Sequence, residues 1–360
     1  MSKRSFLSTI LGFGLLPCLL TGPDAGAQEF EHRRMEVYPE KIIARLEARN
    51  RAQLAAIPRE VDGQPSSLVI QTLQKWVPGQ TVTVAFRGGD ADLYREIAEE
   101  ASEWTQHANL TFDFGFNPAT DSFREWSPDD EEYAADIRVG FDDPGGGYWS
   151  LVGTDSIDPQ VVGAGEASMN LDGFAEDRPP DWAGTVKHEF GHAISAQHEH
   201  QHPSEGCDYE FRWENEPGYM PTTNSFGGYI PDANGKRPGI YQVLGGPPNN
   251  WPSYKVDHNL KQLRNSFAFE WGPFDQDSIM KYYFPAWMFV RGQESPCWTG
   301  TDNNILSARD RENVRQFYPH EIGEIRQLIA QRRTFQTVLS ALENITDEQK
   351  RSFDLRLAPE

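Results

Sequence analysis

His188-Glu189-Phe190-Gly191-His192-Ala193-Ile194-Ser195-Ala196-Gln197-His198 is the stretch on which the reading of this 360-residue chain turns. Residues four apart on an α-helix lie one above the other, so a helix here aims the imidazoles of His188 and His192 at one point. Neutral ring nitrogens so placed reach a single Zn2+ at about 2.0 to 2.1 Å. Glu189 borders the same face, where a carboxylate can take a proton from water acidified by the ion and pass it to a leaving amine. The spacing predicts His188 and His192 as zinc ligands, Glu189 as general base, and His198 as a third ligand brought back by a turn near Ser195.

A His-Glu-x-x-His match also arises on solvated helices, where the glutamate merely pairs with a neighbour such as Lys187. The flanking pattern argues otherwise. Trp182, Val186, Phe190 and Ala193 form an apolar stripe at three- and four-residue spacing opposite the histidines, so one face packs while the other ligates. Pro179-Pro180-Asp181 supplies a stop followed by an N-cap.

A second motif, Ser278-Ile279-Met280-Lys281-Tyr282, lies far downstream among aromatics. With it, the chain resembles the metzincin metallopeptidases, and specifically their astacin-like branch, in which a glutamate follows the third histidine as Glu199 does here. The resemblance spans about residues 74 to 320. It takes in Ala135-Asp136-Ile137-Arg138-Val139 and Ser168-Met169-Asn170-Leu171 as sheet strands, Tyr148-Trp149-Ser150 as the edge strand, and Leu306 to Asp310 as the closing helix. It implies an α+β, metzincin-like fold: a twisted mixed, mostly parallel sheet with two backing helices above a zinc cleft, and a loop-rich lower subdomain. It further implies one catalytic zinc on His188, His192 and His198, Glu189 as base, and Met280 in a turn beneath the metal. Tyr282 would reach the metal or the developing oxyanion, since a phenol donates a hydrogen bond without changing charge; a core position beside Tyr283 and Phe284 is its alternative.

Two residues depart from the family pattern. Ser195 stands where the family has glycine, in a turn that takes left-handed backbone at a cost of about 1 kcal/mol or more to other residues. A distorted turn would let His200 or His202 serve as third ligand instead. Lys281 replaces a frequent histidine, and metal binding does not need that side chain.

The net charge of -21 argues against nucleic acid or an anionic membrane as partner and says little about substrate, which the edge strand near Gly147 to Val152 points to as polypeptide. Gly145-Gly146-Gly147 lacks the lysine and helix start that phosphate binding needs. Residues 1–27 carry Lys3 and Arg4, a short apolar run broken by Gly12, Gly14 and Pro17, and Ala25-Gly26-Ala27, which reads as a secretory signal peptide and predicts a secreted protein. Pro17 weighs against a lipoprotein reading of Cys18. Cys207 and Cys297 then remain and are expected to pair, closing a loop worth about 4 kcal/mol in the chain-entropy model; a zinc-touching Cys207 thiolate is the rival.

Residues 28–73 read as an N-terminal arm or pro-segment, charged and helix-prone, with a thin stripe of Ile42, Ile43, Leu46 and Leu54. No motif in it identifies a group that would block the metal. In astacins the glutamate after the third histidine can pair with a newly cut N-terminus; for Glu199 an ordinary local salt bridge is the expectation. Thr81 to Phe86, Leu110 to Phe114 and the helix Ala91 to Trp104 open a catalytic domain over 74–320. An edge strand near Gly147 to Val152 offers unpaired backbone groups to an extended peptide. Trp251, Trp271, Trp287 and Trp298 are expected in the core more than in subsites. Residues 321–360 read as one or two amphipathic helices capping the domain. Beside the zinc endopeptidase reading stand two others: a binding or adhesion protein impaired by Ser195, and a zinc hydrolase whose third ligand is Glu210 or Glu214.

Overall fold

The computed structural model describes residues 36, 38–65, 72–144, 146–263, 272–343 and 345–355; the expected leader 1–27 with Cys18, and Gly145 and Trp271, lie outside them. The N-terminal arm carries helix α1 (Glu40–Ala56). After it come strand β1 (Thr81–Arg87), helix α2 (Ala91–Thr105), and strands β2 (Thr111–Asp113), β3 (Ile137–Gly140), β4 (Tyr148–Ser150) and β5 (Met169–Leu171), and then helix α3 (Trp182–Ala193). This is the expected order of strand, helix, four strands and the helix of His188 and His192.

The five strands form one sheet in the order β2-β1-β3-β5-β4, parallel except for β4, which pairs antiparallel with β5 through Trp149↔Asn170. Every residue of β3 is buried, as a strand covered on both faces requires. Helix α2 starts where the Asp90 side chain accepts from the Leu93 amide at 2.9 Å, and it turns Leu93, Tyr94, Ile97, Ala101 and Trp104 inward. These meet Val82, Val84 and Phe86 of β1 and Val186 and Phe190 of α3 in the main core. The Trp104 indole donates to the Lys187 carbonyl at 2.7 Å and locks α2 to α3.

The lower part is built differently. Short helices α4 (Ile240–Gly245) and α5 (Ser253–Leu260) and several single turns surround a separate core that includes Phe211, Leu244, Phe284 and Phe289. The Cys207–Cys297 disulfide sits in that core and closes a 90-residue separation, which removes the thiolate reading of Cys207. Trp251 is buried there, and Trp287 and Trp298 pack against it. Helix α6 (Ala308–Phe317) begins with a capping box between Ser307 and Asp310.

Two further helices, α7 (Ile322–Ser340) and α8 (Asp347–Leu355), make up the tail. Their Phe335, Leu339 and Phe353 pack with Ile57, Val61 and Leu73, so the tail closes onto the arm. Among the described residues, no helix is long and apolar enough to cross a membrane.

Candidate metal centre

Helix α3 follows the two prolines as expected, although Asp181 holds the N-cap position without a side-chain capping bond. Val186, Phe190 and Ala193 are buried on one side. Gly191 has no room for a side chain: a Cβ there would collide with Met280 Sδ and press on Trp104 at 3.1 Å. The helix ends at Ala193, and Ser195 takes the left-handed conformation with φ 79°. Its amide donates to the His192 carbonyl at 2.7 Å and the Ala196 amide to the Gly191 carbonyl at 2.9 Å, closing the turn that brings His198 back. Ser195 Oγ donates to the Gln74 carbonyl at 3.1 Å, so this serine is seated rather than merely tolerated.

The structure brings His188, His192 and His198 together. His192 Nε2 lies 3.2 Å from His188 Nε2 and 3.1 Å from His198 Nε2. Tetrahedral ligation at about 2.0 to 2.1 Å separates two ligand nitrogens by about 3.3 Å, so the spacing suits one zinc ion. On the far side of the rings, His188 Nδ1 meets the Ile279 carbonyl at 2.7 Å and His192 Nδ1 the Ala196 carbonyl at 2.9 Å. A carbonyl accepts only from N–H, so both rings carry their proton on Nδ1 and turn a lone pair inward. Inward lone pairs this close repel unless a cation joins them, and the donor set therefore fits the metal.

Glu189 is 2% exposed and lines the cleft on the open side of the cluster with Tyr148, Thr185, His188 and Tyr282. Lys187 pairs with Glu100 at 2.6 Å and Glu103 at 3.4 Å on the opposite face of the helix, against the solvated-helix alternative. Met280 is buried under Gly191. Asp310 holds its turn, accepting from the Ser278 hydroxyl at 2.7 Å and the Ile279 amide at 2.9 Å. The Tyr282 ring stacks near both His188 and His200.

Sequence reasoning missed Glu36. Its Oε2 lies 2.9 Å from His198 Nε2, 3.2 Å from His188 Nε2 and 2.6 Å from the Tyr282 hydroxyl, and its Oε1 lies 3.4 Å from His192 Nε2. One glutamate in a charged segment carries no signal that would have singled it out. Two residues on, the Tyr38 hydroxyl donates to the Ser150 carbonyl of β4 at 3.0 Å, on the edge expected to receive an extended peptide.

The rival ligands are turned away. His200 Nε2 faces the Asn259 carbonyl at 2.9 Å and His202 Nε2 the Gly272 carbonyl at 2.8 Å. Glu210 is engaged by Arg291 at 3.0 Å, and neither it nor Glu214 enters the cluster. Glu199 has no ion pair among the described residues, contrary to expectation. It accepts from the Asp275 amide at 2.7 Å and lines a cavity of about 130 Å³ behind His198, where burial pushes its carboxyl up to about 7.

The mostly parallel sheet, the helix of His188 and His192, the left-handed turn at Ser195 and the buried turn at Met280 together give the metzincin-like α+β fold that the sequence led us to expect. The chain is similar to the solved structure of myroilysin, with 27% identity and a TM-score of 0.50, covering 69% of this chain and 97% of that one. A second myroilysin structure aligns at 26% identity and a TM-score of 0.42, covering 69% of this chain and 86% of that one. High choriolytic enzyme 1 of the medaka Oryzias latipes, a hatching enzyme zinc-protease, aligns at 15% identity and a TM-score of 0.38 over 68% of this chain and 94% of that one. No family model and no curated protein matches the sequence.

Proposed function

We propose that this chain is an exported zinc endopeptidase whose N-terminal arm is a pro-segment held over the metal site by Glu36. The observation that carries the peptidase reading is the convergence of three imidazole Nε2 atoms, two of them oriented by carbonyls behind the rings. His188, His192 and His198 would hold the ion. Zinc bound there supplies a Lewis acid that acidifies water and polarises a carbonyl.

The remaining work falls to side chains. Glu189, on the helix face of His188, takes the proton from water and returns it to the departing amine. The Tyr282 hydroxyl already donates to a carboxylate oxygen at the centre of the cluster, and in turnover it would donate to the substrate's developing oxyanion instead. Strand β4 offers its outer edge to an extended polypeptide, which adds as a further strand. The disulfide supports export, because such bonds persist in oxidising compartments.

Latency is supported by what the arm covers. Glu36 lodges its carboxylate among the three imidazoles that would hold the ion, while Tyr38 engages the strand edge, so one short segment obstructs both the metal site and the expected substrate edge. Purified protein, intact and after removal of the arm, tests both parts: the trimmed form is expected to digest a casein-like substrate and to lose activity to a chelator, with the intact form inert. A trimmed, zinc-loaded protein without turnover would refute the endopeptidase reading.

A further inference from the structure

The C-terminal hairpin grips the chain on both sides of residues 66–71. On the catalytic side, Arg332 of α7, 5% exposed, donates to the carbonyls of Thr72 at 3.0 Å, Lys75 at 2.6 Å and Leu73 at 3.2 Å. On the arm side, Ile57 and Val61 complete the small core made by Phe335 and Leu339 of α7, Phe353 of α8 and Leu73, each of the six at 4% exposure or less. The arm has further anchors on the catalytic domain. Arg49, its side chain 1% exposed, reaches Asp155 at 2.6 Å and Asp158 at 3.0 Å, and Ile42 is buried against Trp149, Leu151, Val161 and Val162.

We infer that the hairpin is a clasp that keeps the arm bound after the chain is cut between residues 65 and 72. None of these contacts depends on chain continuity; a cut there removes the covalent link, which sets the effective concentration of the arm at its seat. The nicked protein therefore keeps Glu36 over the three histidines, and release of the arm is a separate, slower event than cleavage. This inference rests on the pro-segment reading for its biological meaning, while the retention itself does not.

The test uses the full chain with residues 66–71 replaced by the recognition sequence of a site-specific endoprotease. The nicked protein is run on gel filtration with mass measurement of each peak. The fragment ending at residue 65 is expected to travel with the remainder. In the Ile57→Ser/Val61→Ser variant, and separately in Phe335→Ser, it is expected to leave at least about tenfold faster, because burial at the small core is lost while the Arg49 anchor stays. Melting of each uncut variant shows that the catalytic core has folded. A nicked wild type that sheds the arm on the column, or variants that hold it as long as wild type, would overturn the clasp. Failure of the pro-segment reading looks different: the nicked protein would keep its arm and still cleave peptide.

Discussion

The hydroxyl of Tyr282 donates to the carboxylate of Glu36 at 2.6 Å across 246 positions of sequence, and the other oxygen of that carboxylate faces His192 at 3.4 Å. A group from the arm thus accepts from the hydroxyl proposed for catalysis and lies against the imidazoles proposed for zinc at once. Replacing it in the uncut chain by Glu36→Ala should speed both metal stripping by a chelator and peptide hydrolysis by at least about tenfold over uncut wild type. Equal stripping rates in the two proteins would mean that Glu36 does not guard the site.

Glu189→Gln keeps the shape of the side chain and removes the base. Zinc content should stay near that of wild type while kcat of the trimmed enzyme falls about 10²- to 10⁴-fold. Tyr282→Phe should lower kcat by about 10²-fold with little change in KM, since the hydroxyl is asked to act in the transition state. A purely packing role for Tyr282 would leave kcat close to wild type in that variant, because phenylalanine packs as well.

Ser195→Gly restores the residue of the family pattern. Relief of the left-handed strain gains about 1 kcal/mol, while loss of the hydrogen bond to the Gln74 carbonyl and the greater freedom of glycine in the unfolded chain offset a similar amount. Thermal melting should therefore shift by less than the equivalent of about 1 kcal/mol, and activity should change by no more than about threefold. A large rise in activity would revive the reading of an impaired binding protein.

Lys281 is 3% exposed, and burial pushes its ammonium group from the ordinary 10.5 down to about 8. The folded state then binds this proton less tightly than the unfolded state, so the buried charge destabilises the fold below about pH 8 and stability rises as pH climbs from there towards 10.5. Lys281→Met should stabilise the protein at pH 7 by about 2 to 3 kcal/mol, with the gain shrinking between pH 8 and pH 10. Denaturant titrations of both proteins at pH 7 and pH 9.5 check the sign; a gain that grows with pH would contradict it.

Much of the catalytic region was legible because its signals are local. Spacing along α3 places His188 and His192, period-two alternation marks β1, and the family resemblance places α6 at Leu306 to Asp310. The left-handed turn at Ser195 followed from the family pattern, and the structure seats the serine there on Gln74. What stayed hidden depends on pairings that no period encodes. Ile57, Val61, Phe335, Leu339 and Phe353 are plainly apolar, yet only the folded chain shows that they share one core. Arg49 reads as one more surface charge until Asp155 and Asp158 are found around it. Glu199 was expected in an ordinary local salt bridge because no cut N-terminus could be located for it, whereas its bond runs to a backbone amide.

The account stands on the three histidines binding zinc. Elemental analysis of the natively purified protein, beside His188→Ala and His192→Ala variants, asks this directly. About one zinc per chain in wild type and close to none in either variant is the predicted result. A wild-type protein that carries no zinc and takes up none, or variants that keep a full complement, would contradict it.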